Sequence, residues 1–478
     1  MSTTYPQQLP APTLPGMPGP VVNVPVSLDR RVIYEALALM APAWLLTSLG
    51  YPTYGSYWYF SLLGALFGWH WVHKAPHRIS AMLLATLPTM NIFRNYFFYN
   101  SPQIIYLAAV VLWIEYRRRQ AGEMLKDRVL MALFGFSVVY WWLSFLITED
   151  YSINFRALEL SLCVASMTLL YSDLSRFRTA MLALGIGILI QGAALMQHGD
   201  RLGFAEIAGG MVGNPISFGI PACVLFLLSI TRGGRWIMVK DSPWWRYALS
   251  ALAGAALLLS TSRGSWLAAI VGLTMIFLFD RRQRVTLGLY AAGLVVFALA
   301  LTQTPQGATF ADYLDRTFGG DISLDKRTTG RAEQWAAFPK ILEASPLWGH
   351  GPGMGRQVAA EFAGRYLALH SLYLQVGSEL GLIGLGLIGI FFWFMFRRGW
   401  YYLKKFDEPV PLIGSVAFAT IGLSVPAIDL TSALLLALGM IRLRGQVYRV
   451  VPAPPPPLRV PAAPWSWREP ASQGEEPA

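Results

Sequence analysis

The polar interval from Thr302 to Leu369 holds the side chains best suited to chemistry, because the rest of the chain consists largely of apolar runs. His370 follows it, at the start of the next apolar run. The arginines of this interval include Arg316, Arg327, Arg331, Arg356 and Arg365. Guanidinium groups match the geometry of phosphate, and histidine exchanges a proton near neutral pH. The pattern therefore predicts that an anionic lipid headgroup binds here and that a proton moves beside it.

Arg263 is the most unusual charged residue outside that interval. It lies in the polar break Ser260-Thr261-Ser262-Arg263-Gly264-Ser265-Trp266, between two apolar runs. An arginine that reaches lipid headgroups from a reverse turn is one interpretation. The flanking hydroxyls and Gly264, which lets the backbone approach a ligand closely, favour a phosphate site instead.

Arg331 precedes Trp335 and Phe338, whose spacing predicts a short amphipathic helix. We expect this helix to lie on the membrane, with Arg331 in its first turn. The alternative is a surface arginine that pairs with Glu333 or with a lipid headgroup.

His370 opens the stretch His370-Ser371-Leu372-Tyr373-Leu374, at the predicted N-terminus of a long span. The helix dipole disfavours the protonated imidazole there, which keeps the side chain available as a base. The alternative is an ordinary interfacial histidine. Gln375 and Glu379 lie further along this span, on roughly the same helix face as Ser371. We expect them to line an entrance rather than face lipid.

Neither nucleotide nor metal chemistry is indicated. The glycine run from Gly349 to Gly355 follows no predicted strand, so it predicts a sharp turn that lowers the loop onto the bilayer. Glu149 and Asp150 have no histidine or third carboxylate near them in sequence. We expect no metal and no cofactor.

Composition identifies the solvent around the core as lipid. Hydrophobic residues make up 54% of 478 residues and charged residues 14%, with a mean hydropathy of +0.44. A soluble chain carries about 25% charged residues. Recurring apolar runs predict an all-α polytopic integral membrane protein with 12–14 transmembrane helices. The runs lie near 32–50, 56–72, 79–98, 102–116, 129–147, 157–171, 179–196, 205–230, 245–261, 264–280, 285–301, 370–396, 410–424 and 427–441.

Lysine and arginine placement predicts the orientation. With the N-terminus in the cytoplasm, most basic residues between spans fall inside, and the large polar loop falls on the periplasmic side. The net charge of +11 is then a topology signal and not a sign of nucleic-acid binding. The predicted parts are a Pro-rich cytoplasmic segment (1–30), a helical bundle (31–301), a periplasmic loop carrying catalytic residues (302–369), C-terminal spans (370–445) and a Pro-rich cytoplasmic tail (446–478).

Four motifs occur in a characteristic order. Arg263-Gly264 follows a hydroxyl-rich turn, Gly330-Arg331 is followed by Trp335 in the large loop, a Gly-x-Gly comes next, and a His-Ser-x-Tyr-Leu begins at His370. Over roughly residues 200–395 this pattern resembles the O-antigen ligase and O-antigen polymerase superfamily. The resemblance implies metal-independent, inverting glycosyl transfer at the periplasmic face of the bacterial inner membrane.

The resemblance also implies roles for residues. The donor is a glycan on undecaprenyl pyrophosphate, Arg263 and Arg331 occupy the positions of the pyrophosphate-binding arginines, and His370 occupies that of the essential histidine. Further candidates without motif support are Arg327, Arg316 and Arg201.

Two other functions stay open. A repeat-unit polymerase belongs to the same superfamily, but the single large outer loop favours a ligase. The acceptor is lipid A-core, a growing polymer or a protein side chain, with lipid A-core favoured. A transporter of lipid-linked sugars is expected to show internal repeats, which the sequence lacks.

Overall fold

The computed structural model describes residues 30–73, 75–86, 127–147, 164, 174–197, 215–231, 243–279, 284–303, 311, 314–315, 319, 331–364, 369–406, 408–425 and 432–440. Within these residues every regular element longer than one turn is a helix. The helices are α1 (Arg30–Ser48), α2 (Pro52–Val72), α3 (Pro76–Thr86), α4 (Arg128–Ile147), α5 (Leu174–Gln197), α6 (Pro215–Ile230), α7 (Pro243–Leu259), α8 (Arg263–Phe279), α9 (Arg284–Thr302), α10 (Arg331–Ala344), α11 (Gly355–Ala363), α12 (Leu372–Phe406), α13 (Val410–Ile421) and α14 (Ser432–Met440).

The helices follow the apolar runs of the sequence, because a backbone surrounded by lipid must satisfy its own hydrogen bonds. Helices α8 and α9 begin and end within one residue of the predicted runs. The run near 102–116, most of the run near 157–171 and both Pro-rich ends lie outside the described residues. The all-α prediction is confirmed, whereas the number of spans stays a prediction.

Exposed apolar side chains indicate a lipid-facing surface. In the described parts of the chain, the helices long and apolar enough to cross a bilayer are Arg284–Thr302 and Leu372–Lys405. On α9, Val285, Leu289 and Val296 are 78%, 70% and 65% exposed. A soluble domain rarely presents such a continuous apolar face to water, but the same face is stable in hydrocarbon.

Several helices pack against α8 and α12, whose N-terminal ends lie at Arg263 and next to His370. Helix α13 packs against both α8 and α12, α6 packs against α8, and α4 packs against α12. At the N-terminus of α4, the Asp127 carboxylate pairs with the Arg398 guanidinium of α12. Asp127 also accepts a hydrogen bond of 3.0 Å from the Val129 backbone N–H, which caps α4. The two helices are thus held together by a polar contact as well as by apolar packing.

Part of the predicted large loop is folded. Residues 331–364 form α10 and α11, which pack against each other and against α12. Arg331 lies in the first turn of α10 as the structure describes it, in agreement with the prediction. Phe338 packs against Leu369 and Leu374, whereas Trp335 is 40% exposed. Phe338 therefore packs against the segment around the start of α12, and the placement of α10 on the membrane stays a prediction.

Candidate functional site

Arg263 is the first residue of α8 and lies within the segment Ser260–Ser265, which we call the hydroxyl turn and whose hydroxyl residues are buried. The Ser262 Oγ lies 2.9 Å from the Ser265 Oγ and 3.4 Å from the Ser265 backbone nitrogen. Ser262 therefore caps α8 and fixes where Arg263 leaves the backbone. Thr261 has φ 48°, a left-handed conformation that is rare for a β-branched residue and marks a strained turn.

Two glycines allow close packing around the hydroxyl turn. A Cβ on Gly219 of α6 would lie 2.6 Å from the Ser265 Oγ and 2.8 Å from the Ser262 Cβ. A Cβ on Gly264 would lie 3.0 Å from the Ser424 Cβ and would overlap the hydroxyl of that residue. The start of α8 is therefore wedged between α6 and the end of α13, which leaves Arg263 little freedom at its backbone.

The turn at residues 421–425 joins the N-termini of α8 and α12. On one side it contacts Gly264, next to the predicted site residue of α8. On the other, the Gly422 carbonyl oxygen accepts a hydrogen bond of 2.8 Å from the Leu372 backbone N–H. The two helix starts that carry Arg263 and His370 are therefore braced by the same short segment.

Helix α10 contacts His370 through Gln334. Gln334 is buried, and its Oε1 accepts a hydrogen bond of 3.3 Å from the His370 backbone N–H. Gln334 follows Arg331 by three residues, so the two share one face of α10. The structure therefore brings Arg331 and His370 together, although they are far apart in sequence.

The charges around His370 favour its neutral form. Burial lowers the pKa of the half-buried imidazole below its usual range, and the positive charges of Arg331 and Arg356 lower it further. The N-terminus of α12 acts in the same direction. Burial and charge therefore favour the unprotonated imidazole of His370, which lies next to two cations that attract an anion.

The glycine segment, Gly349–Gly355, packs on a break in α12, and its predicted role of lowering the loop onto the bilayer stays a prediction. Gly381 has φ 62° and ψ −154°, so the helix is interrupted there. The Glu379 carbonyl oxygen, which loses its helical partner, accepts a hydrogen bond of 3.0 Å from the Gly351 N–H. A Cβ on Gly349 would lie 2.6 Å from the Gly381 nitrogen. Glycine is needed at Gly349 and Gly381 because the backbone of the glycine segment touches the backbone of α12 there.

Glu379 differs from the expectation that it lines an entrance, whereas Gln375 is only partly buried and lines a pocket between α4 and α12. Glu379 is 2% exposed and lies inside the fold. Its carboxylate accepts hydrogen bonds from the Tyr140 hydroxyl and, at 3.3 Å, from the Gln375 Nε2. The expectation is wrong for Glu379, because its carboxylate lies inside the fold and accepts hydrogen bonds from protein donors.

Sequence reasoning missed Gln334. It named Arg356 only among the arginines of the polar interval, and Glu379 only as a residue that lines an entrance. Arg356 lies in the polar interval but belongs to no motif, and only the electrostatic influence on His370 distinguishes it. Three of the predicted candidates, Arg201, Arg316 and Arg327, lie outside the described residues.

Comparison with known families agrees with the motif order. Residues 248–389 match the model of the family described as O-Antigen ligase. The matched range contains Arg263, Arg331 and His370, so the predicted resemblance is confirmed over this part of the chain. Members of the family are membrane-integral, glycosyltransferase-like enzymes of bacteria. No curated protein matches the chain.

Proposed function

We propose that this protein is a membrane glycosyltransferase of the O-antigen ligase type. It moves a glycan from undecaprenyl pyrophosphate to an acceptor, lipid A-core in preference, at the periplasmic face of the inner membrane. The observation that carries the proposal is the placement of a neutral His370 beside Arg331 on the folded part of the large loop. The match to the O-Antigen ligase family supports the same reaction class.

His370 serves as the general base. A sugar hydroxyl is a poor nucleophile, and a positioned base accelerates its attack by about 100- to 10,000-fold. The imidazole takes the hydroxyl proton while the oxygen forms a bond to the anomeric carbon of the donor sugar. The bond from that carbon to the pyrophosphate oxygen breaks on the opposite face, so the configuration inverts.

Arg331 and Arg263 bind the leaving group. The breaking bond leaves its electron pair on the pyrophosphate, whose negative charge increases through the transition state. Guanidinium groups held by a folded backbone stabilise that charge without reorganisation, and no ATP is needed because the donor is already an activated ester. We expect no metal ion, since the guanidinium groups take its electrostatic role.

Donor binding is also expected to strengthen the base. In the empty site, Arg331 and Arg356 disfavour the imidazolium form of His370. A bound pyrophosphate brings negative charge that offsets both cations, so His370 accepts a proton more readily. His370 thus becomes a stronger base when the pyrophosphate is bound, and it stays mostly unprotonated when the site is empty.

The direct experiment supplies purified protein with a lipid-linked glycan donor and lipid A-core, without ATP and with EDTA. The proposal predicts a covalent glycan–acceptor product from the wild type and none from His370→Ala. Product that forms only between donor molecules would identify a repeat-unit polymerase instead. Movement of the donor across vesicles without any covalent product would identify a transporter and contradict the proposal.

A further inference from the structure

Glu379 is a carboxylate buried in the first part of α12, nine residues after His370. A carboxylate in the interior of a membrane protein is costly unless donors surround it, and such residues commonly have a functional role. The proposed reaction does not use this group. Its partners indicate what it does.

The carboxylate collects donors from three segments. The Tyr140 hydroxyl of α4 donates to its Oε2, and the Gln375 Nε2 of α12 donates to its Oε1 at 3.3 Å. The carboxylate also lies against the glycine segment, since a Cβ on Gly355 would lie 3.0 Å from its Oε1, and the backbone N–H groups of Gly353 and Gly355 favour its charged form. Glu379 therefore joins α4 and α12 to the C-terminal half of the glycine segment.

The main chain around Glu379 holds the N-terminal half of the same segment. The carbonyl oxygens of Ser378 and Glu379 accept hydrogen bonds of 2.8 and 3.0 Å from the N–H groups of His350 and Gly351. In return, the Leu382 N–H donates to the Pro346 carbonyl oxygen at 2.8 Å. These bonds use backbone groups that the break at Gly381 leaves without helical partners. The segment is therefore attached along its whole length.

The contacts between the glycine segment and α12 determine where Arg356 lies. It directly follows Gly355, and its side chain is exposed, so it can reach a ligand. A Cβ on Gly355 would lie 3.0 Å from the Glu379 Oε1 and 3.3 Å from the Leu369 Cδ1, so Gly355 fits between the carboxylate and the residue that precedes His370. The first turn of α11 is thereby fixed beside His370.

We propose that Glu379 is a positioning residue that fixes Arg356 beside His370, where the Arg356 guanidinium binds the anionic diphosphate of the lipid-linked donor. This inference rests on the proposed function. It adds a third guanidinium to the diphosphate site and gives the buried carboxylate a role that α4–α12 packing alone does not require. Packing alone predicts a loss of stability when Glu379 is changed, with no specific effect on donor binding.

The test compares donor KM and kcat for the full-length protein, with the donor varied at saturating acceptor. The variants are Arg356→Gln, Glu379→Gln and the double variant. Glutamine keeps the size of Glu379 but offers one acceptor oxygen where the carboxylate has two, so donors from the glycine segment lose a partner. We expect each single variant to raise donor KM by about tenfold, the effect of losing roughly 1.4 kcal/mol of binding. The donor KM of the double variant should not exceed the higher of the two single-variant values, because both changes remove the same contact.

A matched control is Glu408→Gln. Glu408 is also a buried carboxylate, which accepts a hydrogen bond of 3.1 Å from the Val410 N–H beyond the opposite end of α12. Its donor KM should equal that of the wild type. Tyr140→Phe removes one donor to Glu379 and should raise donor KM by a smaller factor than Glu379→Gln. If Glu379→Gln does not fold, the donor KM of Tyr140→Phe is used to test the proposal in its place.

The outcomes separate the two claims. A wild-type protein that transfers no glycan contradicts the proposed function. An active wild type whose donor KM is unchanged by Glu379→Gln, or by Tyr140→Phe where that variant carries the test, overturns the positioning role alone. Losses that multiply in the double variant also overturn it, because they show that Glu379 and Arg356 act independently.

Discussion

The backbone N–H of His370 donates a hydrogen bond of 3.3 Å to the Oε1 of Gln334. This contact ties the start of α12 to α10, whose first residue is Arg331. Because Gln334 is buried and lies one turn after Arg331, the contact holds the main chain at His370 beside the helix that carries Arg331. The positive charge of Arg331 acts on the imidazole from there.

Replacing Gln334 should impair catalysis without removing any charged group. Gln334→Leu leaves the His370 N–H without its acceptor, and we expect kcat to fall by about tenfold, the effect of roughly 1–1.5 kcal/mol. Gln334→Glu retains an acceptor oxygen and should keep more activity than the leucine variant. The exposed Lys340 of the same helix offers a control, Lys340→Gln, with wild-type kcat. Equal activity of the leucine and wild-type proteins would show that the contact is dispensable.

Charge alone should not be sufficient at Arg263. Arg263→Lys keeps the positive charge but replaces a planar fork of donors with an ammonium that cannot bind phosphate through two parallel hydrogen bonds. We expect glycan-capped lipopolysaccharide to disappear on gels while the amount of membrane protein stays normal. If this variant caps lipopolysaccharide as well as the wild type does, Arg263 does not bind the pyrophosphate and serves only as a charged residue at the membrane surface.

The acid limb of the pH–rate profile should report His370. Its pKa lies below the usual range in the free protein, because of burial and of Arg331 on α10 and Arg356 on α11. The kcat/KM profile, which reports the free enzyme, should therefore stay high at mildly acidic pH. Removing a cation makes the imidazolium less unfavourable, so Arg356→Gln should move the acid limb of kcat/KM to higher pH.

The kcat profile of the wild type provides a second comparison. It reports the donor-bound enzyme, in which pyrophosphate offsets the two cations, so its acid limb should lie at higher pH than that of kcat/KM. Identical limbs in the two profiles, with no change in Arg356→Gln, would mean that another group sets the pH dependence.

The packing at the hydroxyl turn predicts sensitivity to one added methyl group. Gly219→Ala and Gly264→Ala force a Cβ into Ser265 and Ser424, which should cost about 1–3 kcal/mol and displace the start of α8. We expect a lower melting temperature in detergent and a loss of transfer. Gly288→Ala on α9 is the matched control, since no atom lies within 4 Å of the added Cβ. Unchanged transfer in both test variants would show that the turn tolerates movement.

The parts of this fold that local sequence determines were predictable. Apolar runs predicted α8 and α9 to within one residue, and the spacing of Trp335 and Phe338 predicted a short helix with Arg331 in its first turn. Each depends on residues close together in the chain, namely the length of an apolar run or the residues that start a helix.

Contacts between distant segments were not predictable. Tyr140 and Glu379 are separated by 239 positions, and no local pattern indicates that they pair. The break at Gly381 also escapes local reasoning, because several glycines nearby remain helical and only the packing of Gly349 against it shows which one bends. Phe338 faces inward for the same reason, since its direction depends on Leu369 and Leu374.

The most direct measurement separates donor binding from transfer in two variants of purified full-length protein. Binding of a labelled undecaprenyl-pyrophosphate glycan and formation of the acceptor product are measured for wild type, Arg331→Ala and His370→Ala. We predict that His370→Ala binds the donor as tightly as the wild type but forms no product, whereas Arg331→Ala binds the donor at least tenfold more weakly, a loss of about 1.4 kcal/mol or more. Product formation by His370→Ala, or wild-type donor affinity in Arg331→Ala, would contradict a diphosphate site built beside a histidine base.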